Sequence, residues 1–291
     1  MMLRKLSFAL AVWLGLWAAA PAAPPYKALI VTGQNGHNWK ATTPVLEKLL
    51  DQTGLFTVEV ATSPAKGQDM SGFAPKFADY QVVVLNYQGD PWPEPTKRAF
   101  VDYVRGGGGV VVYHFALAAF PEWKEYNRII GLGGWGGRTE KAGPYVRWKD
   151  GKIVRDDSPG RCGSHGPQQP FQLVVRDAEH PITKGLPPAF MHAADELYGW
   201  LRGPAENLTV LATAFAPKEK GGADEHEPVL FTIQYGKGRV FQECLGHDVP
   251  NLRSVAFIVT FQRGAEWAAS GQVTQKVPAD FPTADQASVR K

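Results

Sequence analysis

Short, uninterrupted apolar runs that alternate with helical patterns are the feature of this sequence that most restricts its fold. Tyr80–Asn86 (YQVVVLN) and Val110–His114 (VVVYH) are apolar through their middle, as strands covered on both faces must be. Pro95–Arg105, which lies between them, has the spacing of a helix. Strands that alternate with crossover helices predict an α/β fold built on a mainly parallel sheet.

The remaining elements extend this pattern along the chain. Further strands are predicted at Lys27–Thr32, Phe56–Thr62, Phe171–Val175, Thr209–Thr213, Val229–Tyr235 and Arg239–Leu245. The first helix is expected to begin with Thr43 as its N-cap and Pro44 at its first position. The tight turn Gly236–Gly238 predicts a hairpin at the edge of the sheet.

Two parts of the chain do not fit the alternating pattern. Residues 131–170 mix glycine, charged and aromatic residues without a period, which predicts a long insertion that carries function. Beyond the last predicted helix, Leu252–Ser270, residues 284–291 are predicted to be a disordered tail. Because the chain has 291 residues and 44% of them are hydrophobic, we expect residues 23–283 to form one large α/β domain.

The N-terminus has the composition of a secretion signal. Arg4 and Lys5 precede the apolar run Leu6–Ala20, and Ala20–Ala22 (APA) is a small-x-small cleavage site. The run is shorter than the roughly 20 residues that a membrane-spanning helix needs, and an uncleaved anchor is the alternative interpretation. We therefore predict a signal peptide over residues 1–22, export to the periplasm or the outside of the cell, and no stable membrane span after cleavage.

Charge and cysteine content narrow the class of partner. The formal net charge of +3 is too small for a protein that captures nucleic acid by electrostatic attraction, so the expected partner is a small molecule. Cys162 and Cys244 are the two cysteines of the chain. They limit the protein to one disulfide at most, and two free cysteines are an equal alternative.

Polar side chains follow several of the predicted strands. These strand-end residues are His37, Asn86, Asp90, His114, His247 and Asp248. In an open α/β sheet, ligands bind beyond the carboxyl ends of the strands, because loops from several strands converge there. We therefore expect His37, His114 and His247 to share one cleft.

The position of His114 restricts the chemistry, because a transition from strand to helix is where many α/β enzymes seat a nucleophile. Neither Ser nor Cys adjoins His114, and Cys244 is expected to be buried and inert, which argues against an acyl-enzyme mechanism. Two chemistries remain. One is a divalent metal such as Zn²⁺ held by His37, His114 and His247. The other is metal-free acid–base catalysis by His114 and His247, and in either case Asp248 would orient His247.

The second half of the chain and the tryptophans supply further candidates. Asp195 and Glu196 are expected to complete the catalytic wall beside His37. The predicted substrate-binding residues are Asn86, Asp90, His165, His192, Trp39, Trp92 and Trp135. The three tryptophans fall in predicted loops or helix starts, where an indole can stack on the apolar face of a sugar. A non-catalytic sugar-binding module that uses these tryptophans is the alternative from a different class of function.

A series of motifs, in order along the chain, resembles one known family. The motifs are GQNGHNWKATTPVLEKLLDQTG, VVVLNYQGDPWP, GGGGVVVYHFA, EYNRIIGLGGWGGR, DGKIVRDDSPG, HPITKGLP, HAADELYGWLRGP, YGKGRVFQECLGHD and FQRGAEWAASG. Between Tyr26 and Thr283 the chain resembles the trehalose-utilisation (ThuA-like) family. The resemblance implies a class I glutamine amidotransferase-like, flavodoxin-like doubly wound fold without the glutaminase cysteine. It also implies a role in bacterial sugar metabolism, on trehalose-related glycosides that a partner dehydrogenase oxidises to 3-keto sugars.

The polar motif positions of the family carry over onto this chain residue by residue. They are His37, Trp39, Asn86, Asp90, His114, His165, His192, Asp195, Glu196, His247 and Asp248. Two positions depart from the family pattern: Gln169 stands where a second histidine is expected after His165, and Gln242 occupies a strand position that often carries histidine. A metal site on the three strand-end histidines would be unaffected. Together with the predicted signal peptide, the resemblance favours an exported enzyme that hydrolyses, eliminates or isomerises an oxidised (3-keto) glycoside, downstream of a sugar oxidoreductase.

Overall fold

In the computed structural model, which describes residues 25–291, one large sheet lies between two groups of helices. The helices are α1 (Trp39–Asp51), α2 (Glu94–Gly106), α3 (Lys124–Ile130), α4 (Val249–Leu252) and α5 (Val255–Ser270). The strands are β1 (Tyr26–Thr32), β2 (Phe56–Thr62), β3 (Val82–Leu85), β4 (Gly109–Tyr113), β5 (Tyr145–Lys149), β6 (Lys152–Asp156), β7 (Ser164–His165), β8 (Gln169–Val175), β9 (Ala189–Asp195), β10 (Tyr198–Gly199), β11 (Leu208–Ala216), β12 (Glu225–Tyr235) and β13 (Gly238–Glu243). The predicted signal peptide, residues 1–22, lies outside the described residues.

The large sheet joins a parallel half to an antiparallel half. Its order is β2-β1-β3-β4-β13-β12-β11-β8-β9, and β5 and β6 branch from β12. The pairs from β2 to β13 are parallel. The pairs from β13 to β9 are antiparallel. The predicted α/β class and its flavodoxin-like arrangement are confirmed.

The hairpin of β12 and β13 lies inside the sheet rather than at its predicted edge. β13 pairs in parallel with β4, and β12 pairs with β11 on its other side. The turn between them is encoded locally, but the strands that extend the sheet beyond the hairpin come from residues 169–216, earlier in the chain. A local pattern therefore predicts the hairpin but not its neighbours.

Helices cover both faces of the parallel half, and every residue of β3 and β4 is buried. Arg239 of β13 donates to carbonyl oxygens of α5, whereas a side chain at the neighbouring Gly238 would point at Val104 of α2. Successive residues of a strand point to opposite faces, so α5 and α2 lie on opposite sides of the sheet. A Cβ at Gly264 would lie 2.1 Å from the Phe241 ring, so α5 packs this closely only with glycine there.

Helix α1 begins earlier than predicted. Asn38 is the N-cap, its side chain accepts a hydrogen bond from the Ala41 N–H, and Pro44 lies inside the helix. Thr43, the predicted cap, is buried, and its hydroxyl accepts a hydrogen bond from Asn86 Nδ2 (3.1 Å). Because the core uses this hydroxyl, it does not cap the helix.

The predicted insertion, residues 131–170, contains three of the strands. β5 and β6 form an antiparallel hairpin whose β5 joins the large sheet at β12. β7 pairs with β10 in a separate two-stranded ribbon, which sets His165 opposite Tyr198. The insertion therefore returns to the carboxyl edge of the parallel strands and adds side chains there.

Residues 284–291 contact the domain rather than forming the predicted free tail. The N–H of Val255, at the start of α5, donates to the carbonyl of Ser288 (2.9 Å). Arg290 forms an ion pair with Asp280 (2.8 Å). Across the part of the chain that the structure describes, no helix has both the length and the apolar composition to span a bilayer.

Candidate functional site

The backbone at the end of β4 places His114 at the carboxyl edge of the sheet. Its φ is +43°, a left-handed conformation that is costly for a residue other than glycine and that clusters at functional positions. The residue is 1% exposed. Its Nδ1 lies 2.9 Å from the Cys244 carbonyl and its Nε2 lies 2.6 Å from the Tyr198 hydroxyl. This pattern assigns a neutral tautomer that donates from Nδ1 and accepts at Nε2.

A polar network after β1 holds His37 beside the end of β4. The N–H of His37 donates to Asn35 Oδ1 (2.9 Å), and Asn35 Nδ2 donates to Asn86 Oδ1 (3.2 Å). Asn86 is 1% exposed and also donates to the Thr42 hydroxyl (3.1 Å). Asn86, predicted to bind substrate, therefore supports the loop that carries His37, because its polar atoms are used inside the protein.

Three contacts orient His247 in the loop after β13. Its backbone N–H donates to Asp195 Oδ1 (3.2 Å). Its ring nitrogens lie 3.3 Å from Glu196 Oε1 and 3.2 Å from Gln168 Nε2. The His247 side chain is 24% exposed, so it is accessible where His114 is enclosed.

The three strand-end histidines lie together. Ring centroids are 4.9 Å apart for His37 and His114, and 4.4 Å apart for His37 and His247. His114 and His247 are 5.6 Å apart. His165, from β7, reaches the same place, since its Nδ1 lies 3.5 Å from Glu196 Oε1. Loops from both halves of the sheet therefore converge on one point of the carboxyl edge.

One carboxylate and two of these histidines have the spacing of a metal site. Ligand atoms of His37, His114 and Glu196 all lie within 4.8 Å of one another. The sequence predicts His247 as the third ligand, but the structure groups Glu196 with His37 and His114. Glu196 Oε2 is buried and has no hydrogen-bond partner in the protein. Two imidazoles and one carboxylate are a donor set that catalytic zinc sites use.

Burial keeps the two ligand-type imidazoles neutral. Burial, reinforced by His247, lowers the pKa of His37 to about 4. Burial also lowers the pKa of His114 to about 3, although the charge of Asp195 opposes this shift. Burial raises the pKa of Glu196, and His247 opposes that rise. At neutral pH the imidazoles therefore present lone pairs, which is the form that binds a metal or accepts a proton.

Tyr198 is a residue of this site that the sequence analysis missed. Its hydroxyl lies 2.6 Å from His114 Nε2 and 3.3 Å from His37 Nε2, and its ring stacks on His114 with centroids 4.4 Å apart. β10 has only two residues and follows no long apolar run, so no strand-end argument applies to it. The available signal was its place two residues after Glu196 in a motif already singled out.

Half-buried aromatic rings border the histidines. Phe115 packs edge-on against His37, with centroids 4.5 Å apart, and Trp135 lies 5.5 Å from Phe115 and 4.7 Å from Tyr198. A Cβ at Gly163 would lie 2.7 Å from the Trp135 ring, so the insertion leaves room for this indole. Trp135 therefore stands where the sequence analysis expects a sugar-stacking ring.

Two other predicted substrate-binding residues are engaged elsewhere. Trp92 is 1% exposed, and its ring lies 5.2 Å from Phe120 and 5.6 Å from Phe100. An indole enclosed in this way belongs to the core and cannot stack on a ligand. Asp90 Oδ2 accepts a hydrogen bond from the Gly67 N–H (2.6 Å), which ties two neighbouring loops together. Trp39, half-buried, begins α1.

Three acidic or basic candidates have structural partners. His192 is fully buried and lies 2.8 Å from Asp195 Oδ2, so it does not face a ligand. Asp195 is also fully buried and accepts hydrogen bonds from the backbone around it. Asp248, predicted to orient His247, is the N-cap of α4 and accepts from the Val249 N–H (2.7 Å). The carboxylate beside the His247 ring is that of Glu196.

The cysteines offer no accessible nucleophile. Both Cys162 and Cys244 are free and buried. Cys244 is 1% exposed, and burial raises the pKa of its thiol far above its usual range. A thiol in this state is protonated and unreactive, so it does not replace the serine or cysteine that His114 lacks beside it.

Comparisons with known proteins agree with this fold. The crystal structure of a ThuA-like protein from Parabacteroides merdae is 51% identical, with a TM-score of 0.90, and the match covers 92% of this chain and 98% of that chain. A ThuA-like protein from Bacteroides uniformis is 21% identical, with a TM-score of 0.58 over 89% of this chain and 97% of that chain, and shares the fold. No curated protein matches the chain.

A family model supports the same relationship over most of the sequence. The model, described as ThuA, trehalose utilisation, matches residues 27–268. This range includes every histidine of the cluster and all of the large sheet except Tyr26, the first residue of β1. The chain therefore belongs to the ThuA-like trehalose-utilisation family.

Proposed function

We propose that this chain is an enzyme that acts on an oxidised, 3-keto glycoside related to trehalose by hydrolysis, elimination or isomerisation. The observation that carries the proposal is the convergence of His37, His114 and Glu196 within 4.8 Å. Each group comes from a different loop, and His114 is held in a strained backbone conformation. Such a concentration of titratable side chains with shifted pKa values is typical of an active site.

The donor set fits a divalent metal such as Zn²⁺. His37 and His114 would supply neutral imidazole nitrogens, and Glu196 would supply a carboxylate oxygen that has no other partner. A bound Zn²⁺ would supply a Lewis acid for a carbonyl or hydroxyl oxygen of the sugar. The Tyr198 hydroxyl lies against Nε2 of both imidazoles, so a metal bound at His114 Nε2 would take the lone pair that this hydroxyl contacts, and the hydroxyl would turn away.

His247 is the histidine best suited to move a proton to or from the substrate. Its side chain is 24% exposed, whereas His114 is 1% exposed and enclosed by the protein. Glu196 and Gln168 hold the His247 ring from its two nitrogens. We therefore assign acid–base work to His247 and a ligand or orienting role to His114.

The aromatic border favours a sugar over other small molecules. Phe115 and Trp135 are half-buried beside the histidines, and such rings stack on the apolar face of a pyranose. A non-catalytic binding module would need several tryptophans on one surface, and Trp92 lies in the core instead. Export by the N-terminal signal, and substrate supply by an upstream sugar oxidoreductase, are part of the same proposal.

Metal analysis and a turnover screen test the proposal together. Trehalose, related glycosides and their 3-keto forms are offered to the purified protein as isolated, after chelation, and after Zn²⁺ is restored. We expect conversion of a 3-keto glycoside, loss of activity on chelation, and recovery with Zn²⁺. Full activity of the chelator-treated protein would exclude a catalytic metal and would leave metal-free acid–base catalysis as the mechanism. Sugar binding without any conversion would favour the binding module.

Two variants separate the roles within the site. His247→Ala should lower kcat by about 10²-fold or more, the scale of lost acid–base catalysis, while the metal content is kept. His114→Ala should lose metal and activity together. His226→Gln is the control, because the ring of His226 contacts the Thr213 hydroxyl on the sheet and not the cluster. Equal effects of all three variants would contradict the assignment.

A further inference from the structure

We propose that Asp195 is a positioning residue that holds Glu196 and His247 at a fixed separation, a role that rests on the function proposed above. Asp195 ends β9 and is fully buried, so it does not touch a substrate. Its neighbour Glu196 and the distant His247 contact each other, since Glu196 Oε1 lies 3.3 Å from His247 Nε2.

Both carboxylate oxygens of Asp195 are used, and they join two segments of the chain. Oδ1 accepts from the N–H of Glu196 (2.8 Å) and from the N–H of His247 (3.2 Å). Oδ2 accepts from the N–H of Gly246 (2.6 Å) and lies 2.8 Å from Nε2 of His192. The carboxylate therefore fixes the backbone on which Glu196 stands and the backbone on which His247 stands.

The loop after β13 is shaped to present these donors. Gly246 has φ +99°, and a Cβ there would lie 2.8 Å from the rings of Phe257 and Tyr113, so only glycine fits. The turn directs two successive N–H groups, those of Gly246 and His247, at one anion, which is how backbone nests bind negative charge. Three backbone N–H groups donate to this buried carboxylate, and each of them stabilises its charged form.

An amide cannot replace this carboxylate. Three of the four partners of Asp195 are backbone N–H donors, and an asparagine side chain has one acceptor oxygen and a donor NH₂ group. In Asp195→Asn, the NH₂ group must face either the N–H of Gly246 or the N–H groups of Glu196 and His247, which pushes the Gly246–His247 loop away from Glu196. We expect Glu196 and His247 to separate and kcat to fall by about 10²-fold, with KM changed by less than about 3-fold, as for misplaced groups that act in the transition state.

His192→Phe is the matched variant. It removes the ring nitrogen beside Asp195 Oδ2 and leaves the three backbone donors of Glu196, Gly246 and His247 in place. A phenyl ring suits the position, since His192 already packs against the Phe171 ring with centroids 5.4 Å apart. We expect His192→Phe to lower kcat by less than about 10-fold, because the link between the two segments remains.

Amide hydrogen exchange of the full chain provides a readout that does not need turnover. In the wild-type protein, the amides of Gly246 and His247 should exchange slowly although they lie in a loop. In Asp195→Asn they should exchange at least about 10-fold faster, while amides of β4 are unchanged. In His192→Phe they should stay protected. This exchange pattern supports the positioning role of Asp195 even if no glycoside is converted. A failure to convert any glycoside would count against the proposed function alone.

Three outcomes would overturn the inference. One is rapid exchange of the Gly246 and His247 amides in the wild-type protein, a measurement that holds even if Asp195→Asn does not fold. The second is wild-type kcat in a folded Asp195→Asn protein. The third is an equal loss of kcat in His192→Phe and Asp195→Asn. That result would show that kcat depends on packing around His192 and Asp195, and not on the link between the segments that carry Glu196 and His247.

Discussion

Burial separates two roles that a tryptophan near the end of a strand can have. Trp92 follows β3 in the chain, as a ligand-binding residue would, but its side chain turns inward among aromatic rings and its indole nitrogen has no hydrogen-bond partner. Trp135 lies in the insertion and stays half-buried beside Phe115. The residue type is the same, and the surrounding rings decide which tryptophan can meet a sugar.

Trp92→Ala should therefore act on stability and not on sugar binding. Removing a fully buried indole loses its transfer free energy and leaves a cavity, which lowers the free energy of unfolding by about 3–5 kcal/mol. Trp39→Ala is the control at the half-buried start of α1, with an expected loss of about 1 kcal/mol. Urea unfolding followed by circular dichroism measures both. A Trp92→Ala protein of wild-type stability would be incompatible with its place in the core.

At the scale of single elements, local sequence patterns were sufficient to predict where the strands lie but not which strands pair with each other. The apolar runs that became β3 and β4 were predictable because burial on both faces leaves no other composition. The interior place of the β12–β13 hairpin depends on pairing with strands distant in sequence. The start of α1 depends on Asn86, a residue of another loop that engages the Thr43 hydroxyl.

The residues of the candidate site also divide into those that local sequence patterns predict and those that depend on contacts distant in sequence. His37, His114 and His247 could be grouped from the sequence, because the carboxyl ends of parallel strands meet at one edge. Tyr198 could not, since it reaches the site through the pairing of β10 with β7. The inward turn of Asp195 was equally hidden, because two of its three backbone donors come from the distant loop of Gly246 and His247.

The hairpin of β5 and β6 is fastened to the sheet by a buried ion pair. Arg147 Nη1 of β5 lies 2.6 Å from Glu227 Oε2 of β12, and both side chains are at most 3% exposed. Glu227 also accepts from the Trp200 N–H (3.0 Å), next to the β10 ribbon. The pair therefore links the insertion to the sheet and to the segment that carries Tyr198.

Arg147→Met should be strongly destabilising, because it leaves the Glu227 carboxylate buried without its cation. The expected loss in the free energy of unfolding is about 3–5 kcal/mol. Lys149→Met is the matched control on the same strand, since the ion pair of Lys149 with Glu225 is partly exposed and is worth about 0–1 kcal/mol. Urea titration of both variants measures the difference. Equal losses would show that the buried pair does not fasten the hairpin.

At the scale of the whole molecule, the site exists only when both halves of the sheet are folded together. The parallel half supplies His37, His114 and His247, and the antiparallel half with its insertion supplies Glu196 and Tyr198. The burial that keeps the imidazoles neutral is therefore a property of the complete fold. Lowering the pH should consequently destabilise the folded protein, because the unfolded chain can protonate these imidazoles.

Chelator-treated protein should lose stability through His114 as the pH falls below about 6.5. Burial lowers the folded-state pKa of His114 to about 3, whereas the unfolded chain binds the proton near 6.5. Between these values the unfolded state holds one more proton, so the free energy of unfolding decreases by about 1.4 kcal/mol for each pH unit lowered. His114→Gln removes this proton-binding group. Urea titrations between pH 6 and 4 should therefore give the variant a slope of unfolding free energy against pH that is smaller by about 1.4 kcal/mol per pH unit.

Comparing slopes rather than stabilities isolates the histidine, because a buried carboxyl group whose pKa is raised changes the slope with the opposite sign. Burial raises the pKa of Glu243 well above its usual range, so the folded state holds the extra proton and stability falls as the pH rises above about 4.5. Glu243→Gln, whose amide resembles the protonated acid, should therefore change the slope in the opposite direction to His114→Gln. Slopes that shift in the same direction in both variants, or that stay at the wild-type value in His114→Gln, would contradict a neutral, buried His114.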